Sequence, residues 1–149
     1  MLKTKEEIKR WLDGMGVTNY TINDDLTVDV DDDVDLRFKN LTEIPVQFNE
    51  VKYYFSCAYN QLTSLEGSPR KVGDHFYCHN NQLTSLEDSP RKVGDYFYCH
   101  NNQLTSLEGS PEEVGCWFYS DIQNFKPDEY KEFVKLRKRK EKLNSLDLG

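Results

Sequence analysis

Two histidines and an aspartate recur at a fixed interval and could together bind a metal ion. His79, His100 and Asp121 follow one another at equal intervals along the chain, and two imidazoles with a carboxylate are a ligand set that Zn²⁺ accepts. A metal site also needs convergent ligands and outer hydrogen bonds that orient them. Because repetition of the surrounding sequence explains the two histidines without a metal, we expect no metal and no other cofactor. A metal-dependent enzyme remains a rival hypothesis.

Aromatic side chains recur at the same interval and could form a surface that binds another protein. Tyr and Trp combine a large contact area with a polar tip and supply much of the energy of protein interfaces. The alternative is that these residues only form strands and stabilise a sheet through cross-strand contacts. The three columns read Tyr54, His75, Tyr96, Trp117, then Ser56, Tyr77, Tyr98, Tyr119, and then Ala58, His79, His100, Asp121.

We name nine of these side chains the aromatic strip and predict that they form a protein-binding site on the concave face of a sheet. A protein seldom exposes so many aromatic side chains together unless they contact a partner. The sequence contains no Gly-rich phosphate loop, nucleophile elbow or metalloprotease helix, so we predict a binding protein rather than an enzyme. The aromatic strip consists of Tyr54, His75, Tyr77, His79, Tyr96, Tyr98, His100, Trp117 and Tyr119.

Three of the four cysteines share another column with this interval, at positions 57, 78 and 99. Three thiols in one row cannot all pair, and free cysteine packs well as a small apolar side chain. We therefore expect reduced, buried cysteines, which suit a cytoplasmic protein. Cys116 falls in a different column and should lie near the surface.

All of these columns come from one sequence repeat. Residues 72–87 return almost unchanged as residues 93–108, and a looser copy spans residues 51–66. A period in the twenties predicts a solenoid, in which each coil buries its apolar face against the next coil. The apolar positions extend this register in both directions. The predicted strands lie near residues 34–36, 55–57, 76–78, 97–99 and 118–120.

The two-residue period of a strand predicts which columns face the core. The Phe and Cys columns are two residues apart, so both should point inward, and two leucine columns follow them. An asparagine column at Asn60, Asn81 and Asn102 should bond backbone groups of its own coil and of the next one. Gly and Pro residues between the columns mark the bends.

Both ends of the solenoid need a cover, because an open edge strand promotes aggregation. Thr4 and Glu7 have the spacing of a capping box that begins a helix, and a small hairpin should turn at residues 23–25. A C-terminal helix should begin at Pro127. Its apolar side chains that could lie over the last coil are Tyr130, Phe133, Val134 and Leu136.

The predicted fold is therefore an α+β repeat solenoid in a single domain of residues 1–149. An N-terminal helix and hairpin form one cap (1–32), and a C-terminal helix forms the other (126–149). Between them, residues 33–125 form about five coils of 21 residues each with a parallel sheet.

The core of each repeat resembles that of leucine-rich repeats. The segment Phe76-x-Cys78-x-x-Asn81-x-Leu83 matches the pattern L-x-L-x-x-N-x-L, and residues 97–104 match it equally. The repeat departs from the leucine-rich repeat at the first apolar position of the family's core segment. Glycine occupies that position here, and a valine precedes it by one residue. The resemblance implies a parallel sheet on one side. Because so short a repeat leaves no room for a long helix, a short turn or extended piece should form the convex side.

The wider sequence is similar to the short leucine-rich repeat proteins encoded by tailed bacteriophages. The similarity lies in Asn-Gln-Leu-Thr-Ser-Leu-Glu-Gly-Ser-Pro, in Lys-Val-Gly-Asp and in the opening Lys-Glu-Glu-Ile-Lys-Arg-Trp-Leu-Asp. It implies a small phage accessory protein that binds a host protein, such as a defence factor, and inhibits or redirects it. The expected location is then the host cell cytoplasm.

Charge is spread unevenly and leaves further hypotheses open. The chain has a net charge of −7, with about −6 in residues 1–50 and about +3 in residues 126–149. The charged ends could bind nucleic acid or mimic it, but we favour solvent-exposed faces because the whole chain is acidic. Self-association is another alternative. Early charged residues exclude a signal peptide, and no apolar run approaches the roughly 20 residues of a membrane span.

Overall fold

The computed structural model of the protein describes residues 1–147, in which a helix lies at each end of a series of short strands. Most strands of the repeats are two residues long, because each coil of roughly 21 residues bends repeatedly. In chain order the elements are α1 (Lys5–Met15), β1 (Tyr20–Ile22), β2 (Thr27–Val30), β3 (Val34–Asp35), β4 (Gln47–Val51), β5 (Phe55–Ser56), β6 (Lys71–Val72), β7 (Phe76–Tyr77), β8 (Lys92–Val93), β9 (Phe97–Tyr98), β10 (Glu113–Val114), β11 (Phe118–Tyr119) and α2 (Pro127–Asp147).

The repeats wind into a β-solenoid, as the sequence predicts. One sheet has five strands in the order β11-β9-β7-β5-β3, and every neighbouring pair is parallel. Phe55 pairs with Phe76 and Phe76 with Phe97, which is the register read from the sequence. The five strands lie at the predicted positions and delimit about four turns of coil.

The far side of each coil is also a strand, and these strands form a second parallel sheet beyond the one predicted. The six-stranded sheet has the order β1-β2-β4-β6-β8-β10, and only β1 and β2 are antiparallel. In this sheet Val51, Val72, Val93 and Val114 stack in register and are buried. The extended piece expected on the convex side is therefore hydrogen-bonded from coil to coil.

The core is built on a stack of phenylalanine rings. Phe55, Phe76, Phe97 and Phe118 are fully buried, and successive ring centroids are 5.6, 5.3 and 5.0 Å apart. Tyr130 from α2 continues the stack 5.0 Å from Phe118. The other predicted inward columns are also buried, except that Leu104 is only partly so. The buried members are Cys57, Cys78, Cys99, Leu62, Leu83, Leu65, Leu86 and Leu107.

Each asparagine of the predicted column bonds the backbone of two coils. The Asn81 amide nitrogen donates to the carbonyl oxygens of Cys78 at 3.1 Å and of Cys57 at 3.0 Å. The Asn81 amide oxygen accepts from the Leu62 N–H at 3.0 Å. Asn60 and Asn102 bond equivalent groups. The predicted bonds within the asparagine's own coil are confirmed, but the expectation that the second coil is the next one is wrong, since it is the preceding one.

Glycine follows three of the four stacked valines, at positions 73, 94 and 115, because neighbouring coils approach closely there. A Cβ atom at Gly94 would overlap the backbone oxygen of Gly73, and one at Gly115 would overlap that of Gly94. A residue without a side chain lets the two backbones stack at the spacing of a sheet. This contact explains why glycine occupies a position that is apolar in the leucine-rich pattern.

The N-terminal cap agrees with its sequence signals. The Thr4 hydroxyl accepts from the Glu7 N–H at 3.2 Å, and α1 ends at Gly16 in the left-handed conformation, with φ at 80°. Ile8 and Leu12 are the buried residues of the helix. The hairpin then pairs β1 with β2 around residues 23–25, with Tyr20 opposite Val30.

The C-terminal helix covers the last coil with a narrower face than expected. Tyr130 and Val134 are buried, and the Arg137 guanidinium donates to the Ser110 carbonyl oxygen at 3.1 Å. Leu136 is 59% exposed, so the expectation that it packs on the coil is wrong. Residues 130, 134 and 137 share one helical face, whereas Leu136 lies two residues beyond Val134 and points away.

The close stacking of the glycine column makes a testable prediction about stability. Gly94→Ala should lower the free energy of unfolding by about 1–3 kcal/mol or more, because the added methyl group forces two coils apart. Gly14→Ala in α1 is the matched control, since no atom lies within 4 Å of a Cβ there. Alanine should stabilise that helix by about 0.5–1 kcal/mol. Urea unfolding measures both variants, and a Gly94→Ala protein as stable as the parent would contradict the close approach.

Candidate protein-binding face

The aromatic strip lies on the outer face of the five-stranded sheet. Along β7 the side chains alternate, with Phe76 and Cys78 buried while Tyr77 and His79 reach the surface. All nine members of the aromatic strip are half-buried. The small residues of the same columns, Ser56 and Ala58, are covered almost completely. The sheet therefore brings all nine predicted side chains together on one face.

The rings of the aromatic strip stack on one another along and across the strands. Tyr98 lies between Tyr77 at 5.1 Å and Tyr119 at 4.9 Å, with ring planes 22° and 11° from parallel. His79 and His100 stack at 4.7 Å. Across the columns, Trp117 packs on Tyr119 at 5.6 Å. Cross-strand stacking therefore accounts for part of the aromatic enrichment, and it also fixes the position of each ring.

The remaining members of the aromatic strip join the same lattice. His75 packs against Tyr96 at 5.2 Å and against Tyr77 at 5.5 Å. The Tyr96 N–H donates to the His75 Nδ1 atom at 3.3 Å, which holds that imidazole in place. Tyr54 contacts Tyr77 edge-on at 6.2 Å. Each ring therefore has at least one ring neighbour that limits its rotation.

The titratable groups of the aromatic strip with shifted pKa values favour their neutral forms. Burial raises the pKa of Tyr54, Tyr77 and Tyr98 above the ordinary phenol value, and the Cys116 thiol raises the pKa of Tyr96 to about 12. Burial is also the main reason that the pKa of His79 falls to about 4. At neutral pH these groups present uncharged rings with hydroxyl and imidazole hydrogen-bonding groups.

The histidines and the aspartate of the third column do not form a metal site. The imidazole planes of His79 and His100 are 14° from parallel, so the rings lie face to face instead of directing nitrogens at one point. The Asp121 carboxylate accepts from the Asn102 N–H at 3.2 Å. Within residues 1–147 no three His, Cys, Asp or Glu side chains are grouped to hold a metal ion.

The thiols of the cysteine column are unreactive. Cys57, Cys78 and Cys99 are free and buried, and burial raises the pKa of the Cys57 thiol to about 12 and that of Cys78 well above its ordinary value. Thiols of this kind are poor nucleophiles. Cys116 is half-exposed, as its different column predicts.

A pocket at one end of the aromatic strip contains residues that the sequence analysis missed. Its volume is about 460 Å³. Three of its lining residues, Tyr54, Tyr77 and His79, belong to the aromatic strip, whereas Arg37, Ser56 and Tyr59 were not predicted. The available signal was a departure from the repeat. Residues 76–80 and 97–101 both read Phe-Tyr-Cys-His-Asn, but residues 55–59 read Phe-Ser-Cys-Ala-Tyr.

Comparison with protein-family models, with curated proteins and with solved structures returns no match for this chain. Of the two helices in residues 1–147, neither combines the length and apolar character that crossing a bilayer requires.

The low pKa of His79 predicts a pH dependence of stability. Between pH 6.5, the ordinary value, and about 4, unfolded His79 takes up a proton while folded His79 does not. Stability is therefore complete above pH 6.5 and is lost as the pH falls towards 4. After allowance for the exposed part of the ring, the loss should reach about 1 kcal/mol by pH 5.

The comparison of the parent with His79→Gln isolates this effect, because both proteins share every other titrating group. Urea unfolding at pH 7 and pH 5 should show a smaller loss in the variant. Titration of the imidazole signals by NMR gives the pKa directly. A His79 that titrates near 6.5 would contradict its desolvation in the folded state.

Proposed function

We propose that this protein is a non-enzymatic binding module that contacts a partner protein through the aromatic strip. The observation that supports this most directly is a single face with nine half-buried aromatic and imidazole side chains in stacked columns. Tyrosine and tryptophan at the centre of an interface carry a large share of the binding energy. The proposal uses these groups as contact surface and assigns them no catalytic step.

The stacking supports a binding role because it lowers the entropic cost of association. A side chain that is already held between neighbours loses little rotational freedom when a partner covers it. Tyr98 has a ring on each side, at 5.1 and 4.9 Å. Its outer edge and hydroxyl remain free for a partner, since the ring is only half-buried. A partner surface that offers apolar groups and hydrogen-bond acceptors would fit this face.

For the biological setting, we propose a phage accessory protein that acts in the host cytoplasm on a host protein, such as a defence factor, by inhibiting or redirecting it. The support is the similarity of the repeat and of the opening segment to short repeat proteins of tailed phages. This setting depends on sequence motifs alone. The proposed binding face has separate support in the stacked geometry of the aromatic strip.

Nucleic-acid binding through the basic end is a weaker candidate. Several cations of α2 already have partners in the protein, because Lys138 lies 3.9 Å from Glu112 and Lys135 lies 3.2 Å from Glu132. Arg137 is bonded to Ser110. With a net charge of −7, the chain as a whole repels a phosphate backbone. A protein partner therefore fits the charge distribution better.

Truncation of central rings tests the proposed face. Tyr98→Ala and Trp117→Ala should each weaken binding of the partner recovered from host lysate by about 2 kcal/mol, because each removes a large, immobilised contact. Tyr98→Ala also removes two stacking contacts, so a loss of stability of about 1–3 kcal/mol is expected. Affinities should be measured by calorimetry well below the melting temperature of every variant.

Glu87→Ala is the matched control, since Glu87 is exposed and lies outside the aromatic strip. It should bind like the parent. If both ring variants bind like the parent while Glu87→Ala or a variant of an end cap fails, the aromatic strip is not the binding site. Sedimentation of the protein alone would reveal self-association as the competing use of the same face.

The charge distribution also gives a prediction about nucleic acids. At physiological salt we expect no measurable binding of DNA or RNA, since phosphate contacts give an affinity that falls steeply as salt rises. Gel-shift and anisotropy measurements over a salt series test this. A salt-dependent shift that disappears when Lys138, Arg139 and Lys140 are changed to Glu would instead identify α2 as the site.

A further inference from the structure

The pocket lies where the ring columns of the aromatic strip are interrupted. Ser56 pairs in register with Tyr77, which stacks on Tyr98. The β5 position that would hold the next ring of the stack therefore holds a hydroxymethyl group. Tyr54 approaches Tyr77 only edge-on, at 66° between the ring planes. Part of the Tyr77 ring face is thus left without a stacked neighbour.

One wall of the pocket is an aromatic residue at a backbone position that favours asparagine. Tyr59 has φ at 57°, as Asn80 and Asn101 have at the equivalent positions with 56° and 54°. The backbone hydrogen bonds at the two positions are also equivalent. The Tyr59 N–H donates to the carbonyl oxygen of His79, and the Asn80 N–H donates to that of His100, both at 3.1 Å. Asparagine adopts this left-handed conformation readily, whereas a bulky residue is unfavourable there.

The placement of Tyr59 is not explained by core packing. Its side chain is 42% exposed and stacks at 4.5 Å on Phe38, which is 68% exposed. Phe38 also occupies the left-handed region, with φ at 56°. Two aromatic residues in an unfavourable backbone conformation, both classed as exposed and one of them lining a pocket, indicate a site that is maintained for contact with another molecule.

The charges around the pocket distinguish between possible ligands. The Arg37 guanidinium is held by the Asp35 carboxylate through bonds of 2.9 and 2.8 Å, so its charge is largely satisfied. The Asp33 carboxylate accepts from the Tyr54 N–H at 3.0 Å. Asp32 is the residue immediately before Asp33 in the chain. Arg37 is the one charged residue that lines the pocket, and Asp35 offsets its charge, so Asp32 and Asp33 leave an excess of negative charge near Tyr54. This excess disfavours a phosphate and favours a cation beside the bound group.

We propose that the pocket lined by Arg37, Tyr54, Ser56, Tyr59, Tyr77 and His79 binds an aromatic side chain of a partner protein that is flanked by Lys or Arg. The inserted ring packs against Tyr77 and Tyr54, on the side of Tyr77 where Ser56 offers no ring of its own. The volume of about 460 Å³ is sufficient for an indole ring. This inference rests on the proposed function in that a partner protein supplies the ring.

The test uses the full chain and a blocked tripeptide, acetyl-Lys-Trp-Lys-amide, titrated at physiological salt and followed by NMR. The peptide should cause saturable shifts at Tyr54, Tyr59, Tyr77 and His79, with a dissociation constant of about 1 mM for a single anchored ring. Acetyl-Lys-Ala-Lys-amide should bind at least tenfold more weakly. Adenosine monophosphate should also bind at least tenfold more weakly, because its phosphate meets the acidic surrounding.

Two substitutions test the pocket, one that fills it and one that removes a wall. Each introduces the residue that the next repeat has at the equivalent position. Ser56→Tyr fills the site with the residue equivalent to Tyr77, and Tyr59→Asn removes the wall with the residue equivalent to Asn80. Each should weaken peptide binding at least fivefold. Tyr59→Asn should melt no lower than the parent, since asparagine suits the left-handed backbone. If Ser56→Tyr does not fold, the affinity of Tyr59→Asn for the peptide alone tests the pocket.

Several outcomes would overturn the assignment. If the Ala peptide binds as tightly as the Trp peptide, the interaction is due to the lysines and not to the ring. If adenosine monophosphate binds more tightly than the Trp peptide, the pocket prefers a nucleobase to an aromatic side chain. Unchanged affinity in Tyr59→Asn, or no saturable shift, would remove the pocket as a site. Trp117→Ala lies outside the pocket, and the Trp117 ring packs on Tyr119 and not on a lining residue, so this variant should retain the peptide. Failure of the peptide test with loss of partner binding in Trp117→Ala would refute the pocket and leave the aromatic strip.

Discussion

One asparagine per coil, hydrogen-bonded to the backbone of two coils, fixes the register on which the rest of the structure depends. The Asn81 amide contacts carbonyl oxygens in two successive coils and accepts a backbone N–H from the earlier one. Because these bonds are local and directional, a coil of a different length would leave buried backbone groups unpaired. The constant length of the coil is therefore a hydrogen-bonding requirement as well as a packing one.

A fixed register makes like side chains stack, inside and outside the solenoid alike. Inside, the phenylalanine rings form a column that Tyr130 completes, and the glycine column lets the backbones approach. Outside, the same spacing places Tyr77, Tyr98 and Tyr119 face to face. The aromatic strip is thus a consequence of repetition, and its rigidity has the same cause as that of the core. This shared cause makes a binding face compatible with a structural role for each ring.

Function in a repeat protein is best sought where repetition fails. Residues 55–59 keep the inward Phe and Cys but change the outward residues to Ser, Ala and Tyr. The buried positions cannot vary without a cavity or a clash, whereas the outward positions can. The result is a recess at Ser56 beside a stacked aromatic pair, Phe38 and Tyr59. Physical constraint preserves the coil, and the variable positions are free to acquire specificity.

The repeat, the five strands and the side chains of the aromatic strip could all be predicted from the amino-acid sequence. Periodicity is enough for this, because the alternation of side chains along a strand and the constant length of the repeat assign every column to one face. The same reasoning predicted the asparagine bonds and both caps. It could not predict the second sheet, since Lys71-Val72 is too short a segment to distinguish a strand from a turn.

How these columns meet depends on contacts between coils, which the sequence pattern does not contain. Equal spacing brings His79 and His100 together whether or not they bind a metal, and the stacked ring planes settled that question. Which face of α2 packs on the last coil was also decided by tertiary contacts, since Tyr130 and Val134 are buried while Leu136 is exposed. The pocket is lined by residues of three successive coils, with Arg37 from the first, Tyr59 from the second and His79 from the third. No composition rule would assign the left-handed backbones of Phe38 and Tyr59 to aromatic residues. Local pattern fixes the direction of a side chain along the strand, but contact between coils fixes its neighbours.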